Sequence, residues 1–356
     1  MSLSIENSLK AKIKASPILL EEATPSLKLA VYHRGQRRAQ MSFGQDYDLY
    51  DWASLTKIVF TVPLYMRAVE DLGLDLGTPV QDFLFWWPQP QVRYRDLLTH
   101  SAGMRAWRDF YRHLEGPLDP VQRFEQLKVL LMDVGPEPRP SDVVPRPALY
   151  SDLDFLLLGA ALEEIFFRDL EVLWKAQQEK MELWQTDFHP RNRRPKPEDL
   201  YAPTENCSWR GKLLQGEVHD ENAWALGGVA PHAGLFGPLS DLERFGLLLR
   251  KTYLSPRGSS LASQEVFRRF VRRALPRRRG DWALGFMLPT AGKASCGGHF
   301  SPLSFGHTGF TGTSLWYDPR KDLLVVMLSN RVHPSREKRE FVRLRPMIHD
   351  WIYESL

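Results

Sequence analysis

Residues 27–41, LKLAVYHRGQRRAQM, set apolar positions on either side of a polar turn at 34–36, which predicts a β-hairpin of the kind that opens an antiparallel sheet. Residues 314–330, SLWYDPRKDLLVVMLSN, repeat that arrangement, with an apolar run on each side of an Asp-Pro turn. The second of these runs, 323–328, has no polar position and predicts a buried strand. The middle of the chain differs. Residues 153–174 and 241–249 carry apolar side chains at helical spacing, and proline-rich stretches at 136–147 and 188–203 interrupt them. The expected architecture is α/β, of the α+β type. An antiparallel sheet flanked by helices is built from both chain ends, residues 1–80 and 205–356, and a mainly helical domain, 81–204, is inserted between them.

Of the 356 residues, 43% are hydrophobic and 25% charged, an ordinary globular balance that excludes wholesale disorder. Cys207 and Cys296 are too few and too far apart for a disulfide framework or a metal knuckle. Lys10, Lys12 and Lys14 break up the apolar run that a secretory leader needs, and no stretch reaches the roughly 18 uncharged apolar residues of a membrane span. The expectation is a cytoplasmic protein, or a periplasmic one if the sequence is a processed form. The net charge of +4 gathers at 191–196, RNRRPK, and at 272–279. Both runs lie beside prolines and lack interleaved aromatics, which argues against a nucleic-acid partner. The sequence sets no oligomeric state.

Ser54-Leu55-Thr56-Lys57 leads into the apolar run IVFTVPLYM, predicting a helix over about 54–73. Residues three apart share a helix face, so the Lys57 amine lies beside the Ser54 hydroxyl. A partly desolvated lysine of depressed pKa could there accept the serine proton. Pro63 falls inside this helix and is expected to bend it beyond the catalytic pair. The S-x-x-K pattern is weak by itself, because Ser335-Arg336-Glu337-Lys338 also fits it, in a charged run that reads as a solvated helix surface.

Two further motifs accompany Ser54. Tyr150-Ser151-Asp152 stands before the helix predicted at 153, and His307-Thr308-Gly309 precedes FTGTSLWY; LLTHSAGM lies at 97–104 and GEVHDENAWALGGVAPHAGLFGPLSDLERF at 216–245. In order and spacing these elements resemble the serine β-lactamase and penicillin-binding protein family, with its class C β-lactamase, D-alanyl-D-alanine carboxypeptidase and esterase-like members, over nearly the whole chain. The resemblance implies a serine acyl-transfer site in a cleft between the two domains, without metal or organic cofactor, acting on a small-molecule or peptide substrate. It implies Ser54 as nucleophile, Lys57 as acceptor or relay of its proton, and Tyr150 as the other general acid or base. An unperturbed phenol titrates near pH ~10, so Tyr150 is expected to be lowered by the Lys57 cation. The backbone N–H groups of Ser54 and Phe310 would form the oxyanion hole. Thr308 and Gly309 would line the substrate, Gly309 by letting its backbone approach the strand edge.

Two positions depart from the usual pattern. Asp152 stands where asparagine is common; as an acceptor only, it is expected to anchor Lys57 or a substrate amine. His307 stands where lysine is common, and because histidine is cationic only below about pH 6.5, affinity for a substrate carboxylate is expected to fall as pH rises past its pKa. His219 and Asp220 are read as pocket-wall or loop-fixing residues; with His232 they also form a metal candidate, though at no recognised zinc spacing. Among Trp86, Trp87, Trp107, Trp209 and Trp224, the last two are the preferred cleft walls. Besides the serine hydrolase, two readings stay open: a catalytically weak penicillin-binding or sensor module with the same pocket, and a metal-dependent hydrolase centred on His219.

Overall fold

Two neighbouring inner strands of the main sheet come from opposite ends of the chain. Strand Ser26–His33 turns back through Arg34 and Gly35, both at positive φ, into strand Gln36–Gly44, forming the expected hairpin. On its other side Ser26–His33 pairs antiparallel with Leu323–Ser329, from Leu27 opposite Ser329 to His33 opposite Leu323. The sheet continues through Ser314–Asp318 to Phe305–Thr308, giving five strands. The computed structural model describes residues 5–114, 119–137, 147–188 and 197–356. The basic run at 191–196 and most of the two proline-rich stretches lie outside the described residues.

Period-two alternation sorts the inner strands between two cores. Leu27, Leu29, Val31, Leu323, Val325 and Met327 face one core. There they meet Leu9 and Ile13 of helix Ile5–Lys14 and Leu344 and Ile348 of helix Glu340–Glu354. Ala30, Tyr32, Leu324, Val326 and Leu328 face the larger core on the other side. With both faces covered, 323–328 has no position where a polar side chain would reach water, which explains its uniform apolar run. Lys12, one of the lysines that interrupts the first apolar stretch, pairs with Glu354 at 2.6 Å beside the first core.

The helix predicted at 241–249 is part of Leu239–Leu254. The one predicted at 153–174 is instead two, Asp152–Phe166 and Leu170–Met181, separated where Phe167 takes a left-handed conformation at φ 52°. Apolar spacing runs through both helices, so it did not reveal a break made by a non-glycine cap. Ser335–Lys338 forms a turn, not a helix. No helix among the described residues is long and apolar enough to cross a membrane.

A small sheet brings the nucleophile segment against the 216–245 region: Tyr50–Asp51 and Asp187–Phe188 both pair with Leu235–Gly237. Helix Asp152–Phe166 packs on the same region through Gly159, where an added Cβ would fall 2.4 Å from Cγ of Pro231. Alanine is worth up to about 1 kcal/mol over glycine in a helix, but overpacking costs about 1–3 kcal/mol. The net effect expected of Gly159→Ala is a loss of about 1 kcal/mol, read by chemical denaturation; an unchanged or raised midpoint would contradict this packing.

Candidate active site

The backbone ahead of Ser54 is held in a tight elbow. Ala53 has φ 47°, and its N–H donates to Asp51 Oδ1 at 2.8 Å. The other oxygen of Asp51 accepts from the His219 backbone N–H at 2.8 Å. Thr311 Oγ1 donates to the Asp51 carbonyl and Thr313 Oγ1 to that of Trp52, at 2.8 and 3.0 Å. Asp51, a buried carboxyl that no motif marks, thus ties the nucleophile to the two segments opposite it. The helical run opens just after Ser54, widens to a π-turn over Lys57–Thr61, and continues as Val62–Asp71. Pro63 has no N–H for the carbonyl four residues back, and the wide turn, closed by Val62 N–H on the Lys57 carbonyl, makes room for its ring. The expected distortion therefore lies before Pro63 and reaches Lys57, not beyond the pair.

The pair itself keeps its contact. Lys57 is fully buried and donates to Ser54 Oγ at 2.9 Å, Asp152 Oδ1 at 2.7 Å and the His232 carbonyl at 3.1 Å. Tyr150 Oη donates to the same Ser54 oxygen at 2.8 Å. Burial, the largest influence, pushes Lys57 down, but Asp152 and Tyr150 together outweigh it and hold the ammonium above its ordinary pKa. Burial drives the Tyr150 phenol up to about 12, only partly countered by Lys57. Both expectations, a depressed lysine and a lowered tyrosine, are therefore corrected: a carboxylate in contact and a buried phenol dominate. At neutral pH both groups beside Ser54 carry their protons.

Tyr150 lies between two rings. Trp282 stacks on it at 5.8 Å between centroids, and His100 from the LLTHSAGM segment stands at 4.8 Å. His100 Nδ1 accepts from the Ser151 N–H at 3.2 Å and meets Asp154 Oδ2 at 2.9 Å. Burial pushes the His100 pKa well down and the Asp154 pKa well up, so burial disfavours the charged form of each.

His307 is buried, and its Nδ1–H donates to the Thr308 carbonyl at 2.8 Å. Burial, with Lys57 adding repulsion, pushes its pKa down to about 3. It is neutral across physiological pH, so the expected fall in anion affinity with rising pH does not arise from it. Thr308 and Gly309 line the cavity, but Gly309 is glycine for an internal reason. An added Cβ would meet Thr313 Oγ1 at 2.0 Å and the Trp52 carbonyl at 2.6 Å, and its N–H already donates to the Thr313 carbonyl. The strand-edge role expected of Gly309 therefore has no free donor behind it. The N–H groups of Ser54 and Phe310, in contrast, meet no acceptor among the described residues. They are donors available to a developing oxyanion.

His219 stacks on Phe310 at 5.5 Å, and its Nε2 meets Glu205 Oε2 at 3.1 Å. Asp220 caps helix Glu221–Ala225 through the Ala223 N–H and accepts from His232 Nε2 at 3.0 Å, contacts that hold it below the usual carboxylate range despite burial. The metal candidate centred on His219 does not assemble. His219 turns to Glu205, and the ligand-type atoms that approach one another belong to Asp152, Asp220 and His232, within 4.8 Å, with the Lys57 ammonium already on Asp152. Trp209 and Trp224 pack on each other at 5.1 Å outside the cavity, and Trp87 is buried in the core. The tryptophans that line the cavity are Trp107 and Trp282, the second unmarked by any motif.

Ser54, Tyr150, Asp152, His307 and Phe310 open into one cavity of ≈ 560 Å³, a size suited to a small-molecule or peptide ligand. The Beta-lactamase family profile matches residues 9–345. The chain belongs to the Beta-lactamase family. A provisionally named D-alanyl-D-alanine carboxypeptidase of Escherichia coli O157:H7 is 30% identical over 268 residues, 68% of this chain and 57% of that protein. This chain thus spans a little over half of that relative's length. The N-acetylmuramyl-L-alanine amidase of Bacillus subtilis (strain 168) is 28% identical over 80% of this chain and 68% of its own. EstCE1, a hydrolase with promiscuous acyltransferase activity, superposes with a TM-score of 0.69 at 17% identity over 98% of both chains, a likeness of fold. Within this Beta-lactamase-family site, the charge on Asp152 sets the protonation of Lys57. Asp152→Asn removes a charge that raises Lys57, so the rising limb of a kcat/KM–pH profile on a neutral ester should move to lower pH. A limb that stays in place would show that Lys57 does not titrate with it.

Proposed function

We propose that the protein is a serine hydrolase that cleaves an ester, amide or D-amino-acid peptide bond through an acyl-enzyme on Ser54. One observation carries this reading: two side-chain donors converge on Ser54 Oγ, and two backbone N–H groups without an acceptor belong to residues that line the same cavity. Turnover runs through the form in which Lys57 or Tyr150 has lost its proton: that group takes the Ser54 proton as Ser54 attacks the carbonyl, and the Ser54 and Phe310 N–H groups hold the oxyanion. Tyr150 then protonates the leaving group and later activates water. The names of two relatives, a carboxypeptidase and an amidase, support cleavage of an amide or peptide bond.

The test is turnover of a chromogenic ester together with intact-mass detection of an acyl adduct. Ser54→Ala should remove both, with at least about a hundredfold loss in kcat. Activity surviving Ser54→Ala would sink the proposal. The second reading, a slow penicillin-binding module, is favoured by the raised phenol of Tyr150, the group that would activate the deacylating water. It predicts a stoichiometric burst of product, a persistent adduct and negligible steady-state turnover.

A further inference from the structure

The backbone on both sides of Tyr150 is held by one residue. His100, at φ 55°, accepts the Leu149 N–H on its carbonyl at 2.8 Å and the Ser151 N–H on its ring Nδ1 at 3.2 Å. Ser151 Oγ donates to the Arg105 carbonyl at 2.6 Å and the Asp152 N–H to that of Ala106 at 2.9 Å, which joins the loop after His100 to the chain after Tyr150. The His100 ring also meets Trp282 edge-on at 4.5 Å between centroids. This bracing sets the position from which Tyr150 Oη reaches Ser54 Oγ.

A second contact at Nδ1 shows where the hydrogens lie. Asp154 Oδ2 stands 2.9 Å from the same nitrogen that accepts from Ser151. An imidazole nitrogen offers either a hydrogen or a lone pair. With a hydrogen on Nδ1, the ring would bond Asp154 but turn that hydrogen against the Ser151 N–H, leaving a buried backbone donor unsatisfied. With Nδ1 bare and Asp154 ionised, two lone pairs would face each other at hydrogen-bond distance. Both contacts are attractive only when Nδ1 is bare and Asp154 carries the hydrogen. Burial points the same way: the two side chains are 0% and 1% exposed, and Asp154 Oδ1 is buried without a hydrogen-bond partner. The carbonyl oxygen of a neutral acid bears that isolation at far lower cost than half of a carboxylate charge. Asp152 and Asp96 favour the proton on Asp154 and Lys57 opposes it, while Lys57 and, when charged, His307 disfavour a second proton on His100.

We propose that Asp154 is a carboxylic acid at neutral pH that donates its hydrogen to His100 Nδ1, and that this neutral pair is the positioning device of Tyr150. The inference rests on the serine-hydrolase reading and adds to it two positioning residues that do not touch the reacting atoms. The hydrogen on Asp154 commits His100 to the tautomer protonated at Nε2, so Nδ1 remains the acceptor that the Ser151 N–H needs. A neutral acid also keeps a further negative charge away from a phenol whose ionised form is the one that activates water.

Two measurements test the pair. Infrared spectra at neutral pH, wild type minus Asp154→Asn, should contain the carbonyl band of one protonated carboxylic acid; a difference with carboxylate bands alone would overturn the assignment. That readout needs no turnover, so it stands apart from the serine-hydrolase reading, which Ser54→Ala tests. In turnover of the chromogenic ester, Asp154→Leu removes the donor and should lower kcat by roughly tenfold or more with KM little changed, because a misplaced catalytic group costs rate. Asp154→Asn, whose amide N–H donates to Nδ1 as the acid does, should recover most of that loss. A comparable loss in Asp154→Asn would mean that a carboxylate acts there, and wild-type kcat in Asp154→Leu would mean that the pair only fills space; either result refutes the proposal. The infrared band and the kcat of Asp154→Asn decide it even where Asp154→Leu does not fold.

Discussion

A lysine ammonium has three N–H donors, and Lys57, with no surface in water, has three acceptors for them. An unpaired buried charge is among the most costly features a protein can contain, so none of these contacts is easily dispensed with. Each comes from a different part of the chain: Ser54 one helical turn away, Asp152 at the start of another helix, and the His232 carbonyl in the loop that Gly159 and Pro231 press into place. Satisfying one ammonium therefore brings three segments into register around the nucleophile. Its positive charge also disfavours a proton on His307 and His100 and favours ionisation of Tyr150.

The elements that read directly from the sequence are those fixed by local geometry. Ser54 and Lys57 meet because helical spacing places them together, and the same spacing at Ser335 and Lys338 comes to nothing because that segment is a turn. The hairpin at 27–41 and the buried strand at 323–328 were legible because period-two patterning survives in composition. The break at Phe167 was not, since the apolar pattern continues across it.

Electrostatic character was harder to read, because it is decided by which partners arrive from far along the chain. Lys57 and Asp152 are 95 positions apart, and whether burial or that contact dominates is settled only when the distance is known. Asp51 and Trp282 carry no motif for a related reason: their roles consist of backbone N–H groups and a ring supplied by distant segments.

The closure of the main sheet across both chain ends has a kinetic side. Ser54 follows the first hairpin, whereas Phe310 lies near the opposite terminus, and the two come together through pairings such as Leu27 with Ser329. Non-local strand pairing must overcome loop-closure entropy before its contacts form, which slows folding. During synthesis Ser54 and Lys57 leave the ribosome long before the segment that carries Phe310, so a partly made chain holds that pair without the far wall of its cavity.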